Sequence, residues 1–435
     1  MKALPGEDMT GGAALDSRFG RLAREELVGS ILPFWTRTTD LERGGIFNCW
    51  NNAGTTLVSR DKFTWSQGRF VWLWSRVAGA VRRGLLPGDA SAYLDQAART
   101  VQFLQRHAFL DDGRCAFLLS EDGVVKEAAP GSGPAPSIYA DCFVVMGFAE
   151  FARVTGHIDV LDAAWRLFEN IERRIAAGGF PTRPEPIPDG YDSHAIAMIT
   201  LNVTLVLREA CEALGDRRAP AARGRNVAAA ARIVDRFLGP GGRVRELVPR
   251  DQRNDDTLLS RHLNPGHALE GLWMLLTVAQ REGRVDWSIR ALEAVRFALE
   301  RGWDAEHGGL LHYVDCAGGV PVGQAGDTIY ERGVRTTWDA KLWWIHSEAI
   351  YATALSAHLS GDAGLRGWFE RVWTYTLQTF PQPDRAVGEW IQIRDRRGAP
   401  LERVVALPVK DPYHIARNLL QLVELFPPSG ASLSS

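Results

Sequence analysis

Cysteine is scarce and scattered in this 435-residue chain: Cys49, Cys115, Cys142, Cys211 and Cys316, with no Cys-x-x-Cys pair. An odd number without paired spacing argues against a disulfide framework and against a thiolate zinc site. It suits a reducing compartment, so a cytoplasmic location is expected. No run of about 18 apolar residues is present, the length a membrane-spanning helix needs. Residues 1–19 hold acidic and glycine residues but no apolar stretch of a secretion signal. Net charge is only −2, too weak a field for a nucleic-acid or anionic-membrane partner. The basic stretch 217–225 is broken by Ala and Pro and reads as a solvated loop and helix start. Several catalytic signatures are also missing. There is no HExxH and no other clear metal-ligand spacing, no GxxxxGK[ST] and no GxSxG. Gly131-Ser132-Gly133-Pro134 runs into proline and makes a poor dinucleotide fingerprint.

What the chain does have is tryptophan: 15 residues against 8 tyrosines. Indoles fill a large core, and they also stack on the apolar C–H faces of sugars while the indole N–H reaches a hydroxyl. The chain also repeats itself. Glycine turns leading into short apolar stretches begin at Gly44, Gly113, Gly178, Gly241, Gly308 and Gly388, at intervals of 69, 65, 63, 67 and 80 residues. A period of this size is one supersecondary unit repeated. Between the turns, 70–82, 139–155, 199–214, 267–282 and 342–359 carry apolar residues at helical spacing. Each interval holds two helices of ordinary length. Six units then predict an all-α, (α/α)6 barrel of about twelve helices, with glycine turns and short strands at one mouth of a central cavity. Closure of the ring buries the faces that an open solenoid would leave exposed. No composition shift or linker divides the chain, so one domain over 1–435 is expected, with ends fraying at about 1–18 and 427–435.

Four stretches combine aromatic, charged and histidine residues. In Asn264-Pro265-Gly266-His267-Ala268-Leu269-Glu270 a turn starts a helix, and His267 and Glu270 share its face. That pairing suits an oriented acid or base, or a packing histidine. In Pro412-Tyr413-His414-Ile415-Ala416-Arg417, His414 sits in a first helical turn, with Arg417 on its face as a cation that would favour neutral imidazole. Trp65, Arg69 and Trp72 form one stripe at i, i+4 and i+7. A guanidinium among indoles needs partners, which substrate oxygens could supply. The fourth stretch is Lys341-Leu342-Trp343-Trp344-Ile345-His346-Ser347-Glu348, and Tyr139, Asp141, His194 and Asn202 are lesser candidates.

Together these segments resemble the N-acylglucosamine 2-epimerase family, which includes cellobiose 2-epimerases and mannose isomerases. Trp65-Ser-Gln-Gly-Arg69 with Trp72, Pro265-Gly-His267-Ala-Leu-Glu270, Lys341 to Glu348, and Pro412-Tyr-His414 with Arg417 carry the likeness, supported by Tyr139-Ala-Asp-Cys-Phe143 and Gly388-Glu-Trp390. It spans about residues 44–425. The resemblance implies the same barrel, a reducing-sugar substrate, no metal or redox cofactor, and a homodimer as the common assembly. It implies His267 and His414 as the catalytic pair, with substrate contacts from Arg69, Glu270, Trp65, Tyr139, Asn202, Trp344, His346, Glu348 and Arg417. His194 stands for the further pocket histidine of the cellobiose and mannose branch. The segment with His346 is nearer the N-acylglucosamine branch, whereas Pro412-Tyr-His414 is nearer the other, which leaves the sugar open. Two histidines with pKa near 6.5 suit C2 proton transfer through a cis-enediolate. The alternatives are a glycoside hydrolase on the same toroid, which would need two carboxylates facing one cavity, and a sugar-binding protein without chemistry.

Overall fold

The computed structural model describes residues 9–251, 256–404 and 407–427. Helix α1 (Met9–Glu26) passes through a π-turn into α2 (Leu32–Arg37). The pairs α3 (Thr64–Arg82) and α4 (Ala90–His107), α5 (Ile138–Thr155) and α6 (Ile158–Ala177), and α7 (His194–Ala213) and α8 (Ala219–Arg232) follow. After the short α9 (Leu258–Arg261) come α10 (Pro265–Arg281) and α11 (Val285–Gly302). The short α12 (Ile329–Thr337) precedes α13 (Trp343–Ser360) and α14 (Ala363–Thr379), and α15 (His414–Leu425) is last.

Helices α3, α5, α7, α10, α13 and α15 pack in succession, and α15 returns to α3, so the ring closes. An outer helix backs each: α4 on α3, α6 on α5, α8 on α7, α11 on α10, α14 on α13, and α1 on α15. This is the (α/α)6 barrel that the repeats predict. Composition explains which helix goes where. In α6, Val160, Leu161, Ala164, Trp165, Leu167, Phe168 and Ile171 form one buried stripe, with charge on the opposite face. Nearly all of α5 between Ile138 and Ala152 is buried, as befits a helix with neighbours on every side. Helix α7 is the one described helix whose length and hydropathy would suit a membrane span, and most of it is buried inside the ring.

Two expectations need correction. Residues 9–18, expected to fray, belong to α1, which packs on α15 and completes the ring. The seal is close, since a Cβ on Gly20 would fall on the carbonyl oxygen of Phe426. Residues 1–8 and 428–435 lie outside the described residues. Second, inner helices start earlier than apolar periodicity predicts, α3 at Thr64 and α7 at His194. Their first turns carry too few apolar residues at helical spacing to register in that pattern: Thr64, Ser66 and Gln67 in α3, and His194 in α7.

The glycine turns do mark the repeats. Five of them end in an isolated antiparallel bridge: Thr39 to Ile46, Phe109 to Cys115, Leu238 to Val244, Trp303 to Leu310 and Pro381 to Trp390. Short strands then fix the inner helices. Lys62–Phe63 pairs with Leu118–Leu119, Tyr191–Ser193 with Leu247–Pro249, His262–Leu263 with Val314–Asp315, and Lys341–Leu342 with Ile393–Arg394. The first partner in each pair immediately precedes an inner helix. Pairing therefore pins those helix N-termini at one mouth, in register. Buried lysines reinforce it: Lys62 meets Asp40 at 2.7 Å and Lys341 meets Asp304 at 3.4 Å, at matching places in two repeats.

Inner helices α3 and α5 touch at two glycines. A Cβ on Gly147 would meet the Gly68 carbonyl oxygen, and one on Gly68 would meet the backbone of Phe143. Gly147→Ala should therefore destabilise the barrel by about 1–3 kcal/mol, the usual cost of overpacking. Gly367, with nothing near its missing Cβ in exposed α14, is the contrast. Gly367→Ala should stabilise by roughly 0.5–1 kcal/mol. Denaturant midpoints of the two variants check both signs.

Candidate active site

The first turns of the inner helices converge on a cavity of about 210 Å³ at the mouth. His267 and His414, expected from sequence to act as a pair, both line it. His267 is in the first turn of α10, where the Asn264 side chain accepts its backbone N–H at 3.1 Å as a helix cap. Its ring lies against Trp344, with centroids 5.1 Å apart. His414 begins α15, and the Asp411 carboxylate accepts its backbone N–H at 3.0 Å.

Each imidazole is held through Nδ1 by a buried carboxylate. Nδ1 of His267 is 3.0 Å from Glu246 Oε1, and Nδ1 of His414 is 2.7 Å from Glu348 Oε1. A carboxylate accepts, so Nδ1 carries hydrogen in both rings and Nε2 is left for the cavity. The Nε2 environments then differ. Nε2 of His414 is 3.3 Å from an Nη of Arg69. Guanidinium only donates, so this contact assigns a lone pair to Nε2. At His267 burial disfavours the imidazolium, but the Glu246 charge and hydrogen bond outweigh it and raise the pKa to about 9. His267 is thus an acid at neutral pH. In turn, Glu246 is disfavoured as an anion by burial, yet the His267 charge lowers it to about 2.

The other expected residues divide into two groups. Arg69, Trp65, Tyr139, Glu270 and Trp344 line the cavity. Arg69 donates to Asp411 at 3.0 Å and lies over the Phe143 ring at 4.0 Å and the Trp65 ring at 5.0 Å. Trp72 does not flank the substrate side of Arg69; its ring packs on Tyr413, deeper in the bore. Glu270, expected to orient His267 from the same helix face, instead accepts from Arg417 at 2.7 Å. The carboxylate that orients His267 is Glu246.

Five expected contact residues stand outside the cavity lining. Glu348 is fully buried behind His414 and accepts from the Trp273 indole at 2.8 Å. Arg417 is not a bare cation beside His414: it is clamped between Glu270 and Glu348, beneath the site. His346 is fully buried, with Nδ1 on the Leu342 carbonyl at 2.8 Å and Nε2 accepting the Leu310 N–H at 2.9 Å. Both nitrogens are spent on backbone, so it joins α13 to a glycine turn. His194 is buried against α10, where a Cβ on Gly271 would come within 2.9 Å of its Nε2, and burial lowers its pKa to about 4. Asn202 lies two turns deeper along α7, at a second cavity. Asp141 ion-pairs with Arg174 and accepts the Cys115 N–H at 2.6 Å, a structural role.

Sequence reasoning missed Glu246, Asp411, Glu185 and His312, all of which line the cavity. The repeat contains a signal for two of them. Two residues beyond the bridged residue of a glycine turn, the chain reaches Asn48, Phe117, Glu246, His312 and Gln392. The chain path sends this position inward in every such unit, and all five are buried or nearly so. His312 bonds Thr337 Oγ1 through Nδ1 at 3.0 Å; burial and the nearby His267 charge lower its pKa to about 3, so it stays neutral. The Glu185 carboxylate has no hydrogen-bond partner among the described residues, and burial raises its pKa.

Three acidic or histidine ligand atoms, from Glu270, Glu348 and His414, lie within 4.8 Å of one another. The Arg417 guanidinium already sits between the two carboxylates. A cation there would have to displace it, so this donor set fits arginine rather than metal.

Comparison with known proteins agrees with this geometry. A family model described as N-acylglucosamine 2-epimerase (GlcNAc 2-epimerase) matches residues 45–417. The N-acylglucosamine 2-epimerase of Bos taurus is 31% identical over 413 residues, covering 93% of this chain and 90% of that protein. The cellobiose 2-epimerase of Ruminococcus albus is 22% identical over 419 residues, covering 92% and 97%. The solved structure of the cellobiose 2-epimerase from Bacillus thermoamylovorans B4167 superposes with a TM-score of 0.74 at 19% identity, covering 94% of this chain and 99% of that one. That last likeness bears on the fold alone.

The His267–Glu246 pair is open to direct titration. Proton NMR of the His267 ring should give a pKa near 9, against the ordinary 6.5. In Glu246→Gln it should fall below 6.5, because burial remains after the charge is removed. The folded value is raised, so the pair stabilises the fold fully below pH 6.5 and stops doing so as pH rises through about 9. Titration of wild-type His267 at 6.5 would sink the assignment.

Proposed function

The chain belongs to the N-acylglucosamine 2-epimerase family, and from that membership we propose that it is a sugar 2-epimerase whose substrate is an N-acylated hexosamine. The observation that carries the chemistry is the pair of imidazoles, each held through Nδ1 by its own carboxylate and each leaving Nε2 to one cavity.

In this reading the reducing sugar opens to its aldehyde in the cavity, and the carbonyl acidifies the C2 proton. His414 Nε2 takes that proton, and the electron pair moves into a C1 enolate whose C2 still carries the acylamino group. His267 Nε2–H then protonates C2 from the opposite face, which inverts the centre and leaves His267 neutral and His414 protonated. The reverse reaction uses the same groups in exchanged roles. Arg69, a fixed guanidinium beside His414, is placed to stabilise the enolate oxygen. Because Asp411 and three aromatic rings hold it, it needs little reorganisation during the reaction.

Sugar choice rests mainly on sequence. Identity is 31% to an N-acylglucosamine 2-epimerase and 22% to a cellobiose 2-epimerase over comparable lengths. The cavity wall supports it: Met198, Ile199, Leu407 and Val409 offer apolar surface with no partner for a hydroxyl, and suit an acyl group. A glycoside hydrolase is less well supported. Among the cavity carboxylates Glu246, Glu270 and Asp411 are each committed to a cationic side chain of this chain. A reducing compartment suits the five unpaired cysteines, and we extend the proposal to a cytosolic enzyme.

Proton NMR in D2O with N-acetylglucosamine, mannose, glucose and cellobiose tests the reading. Deuterium should appear at C2 of N-acetylglucosamine together with its C2 epimer. Exchange confined to mannose or cellobiose would overturn the sugar choice, and no exchange with any of them would overturn the chemistry. His267→Ala and His414→Ala should each lower kcat by ~10²–10⁴. Near-normal turnover by either variant would remove that residue from the mechanism.

A further inference from the structure

The bore of the barrel holds two chambers. Beneath the cavity at the mouth, which is about 210 Å³, lies a second one of about 250 Å³. The same inner helices line both, one or more turns apart. Helix α3 gives Trp65 and Arg69 to the upper chamber and Trp72 and Arg76 to the lower. Tyr413 and Arg417 form part of the wall between them: Arg417 lines the lower chamber and donates to Glu270, which lines the upper.

The lower chamber is rich in uncommitted hydrogen-bonding groups. Asn202 is only 4% exposed, yet its side-chain amide has no partner among the described residues. The Tyr351 hydroxyl likewise has none, and Trp72 Nε1 and Gln421 Oε1 are buried without partners. A buried indole N–H or amide oxygen with nothing to bond costs stability, and natural structures satisfy nearly all such groups with protein, water or ligand; the Asn202 amide and Tyr351 hydroxyl open onto the same chamber as Trp72 Nε1 and Gln421 Oε1. Donors and acceptors are both represented, and they stand beside the rings of Trp72, Trp273 and Tyr351. Aromatic faces with mixed hydrogen-bonding groups suit a polyhydroxyl compound. The charges there are already paired, with Arg83 also on Glu424, Arg153 on Glu150 and Arg281 on Glu209. Arg76 meets Glu424 at 2.9 Å and lies within 3.7 Å of Glu150 and 3.5 Å of Glu209, while Arg417 is clamped by two carboxylates. A charged ligand would find no unpaired counter-charge among these groups.

We propose that the lower chamber is a second binding site, separate from the catalytic cavity, for a small neutral polyol or monosaccharide, with Asn202 as its central hydrogen-bonding residue. Its volume admits what the upper chamber admits. Its occupant would lie against Arg417, which braces Glu270 and Glu348 from below.

Equilibrium dialysis of the full-length protein with radiolabelled D-mannitol tests this. Mannitol has no carbonyl and cannot be turned over. A class of bound mannitol should be present that Asn202→Leu weakens about tenfold or more, the worth of one good buried hydrogen bond. Gln421→Leu should weaken the same class, which keeps the test open if the first variant folds poorly. Trp344→Ala, which alters only the upper chamber, should leave it intact. Mannitol binding that neither lower-chamber variant changes, or no binding at all, would overturn the proposal and leave the chamber to water. Loss of the Asn202-dependent class in Trp344→Ala would also overturn it, because the mannitol would then sit at the mouth.

Discussion

An ionised side chain cannot stay uncompensated in the bore of a helical ring, and this barrel is organised around that constraint. Arg417 on α15 is clamped by Glu270 from α10 and Glu348 from α13. Glu348 holds His414, Arg69 on α3 spans His414 and Asp411, and Glu246 holds His267. Almost every partner comes from a different segment of the chain. The charges that serve the chemistry therefore also tie the inner helices together, and removing one partner would strand another in a poorly solvated place.

The two histidines show how environment divides one residue type into two roles. Both are at the start of an inner helix, and both present Nδ1–H to a carboxylate. Glu246 bears on little besides His267, so its charge is spent on raising that imidazole. Glu348 is shared with Arg417, Trp273 and Asn418, so its charge is divided. Arg69 then faces Nε2 of His414 directly. An acid and a base arise without any difference in residue identity.

Location at the mouth follows from the repeat. Five of the glycine turns close a short bridge, and four strand pairs lie just ahead of an inner helix, so the starts of those helices gather at one end. The deeper turns of the same helices cross the bore behind a layer containing Tyr413 and Arg417. This is why Asn202, on an inner helix but farther from its start, reaches a different chamber from His267.

The six-fold repeat, the helical periods, the closed barrel and the pair His267 and His414 are legible in the chain alone, because they rest on local spacing and on motifs contained in single segments. So are Arg69, Trp65, Tyr139 and Trp344, which lie in the first two turns of inner helices. Contacts between segments are not legible in that way. His267 and Glu270 are three residues apart, yet the orienting carboxylate is Glu246, which strand pairing brings from the previous unit. His346 has the composition of a site residue, but helix packing spends both its nitrogens on backbone. Residues 9–18 look like a tail, but they extend α1, the helix that backs α15. Sequence alone determined the repeat, the helices and the histidines; which carboxylate meets which cation was decided by closure of the ring, since the balance between burial and Coulomb attraction depends on distances that no spacing along the chain encodes.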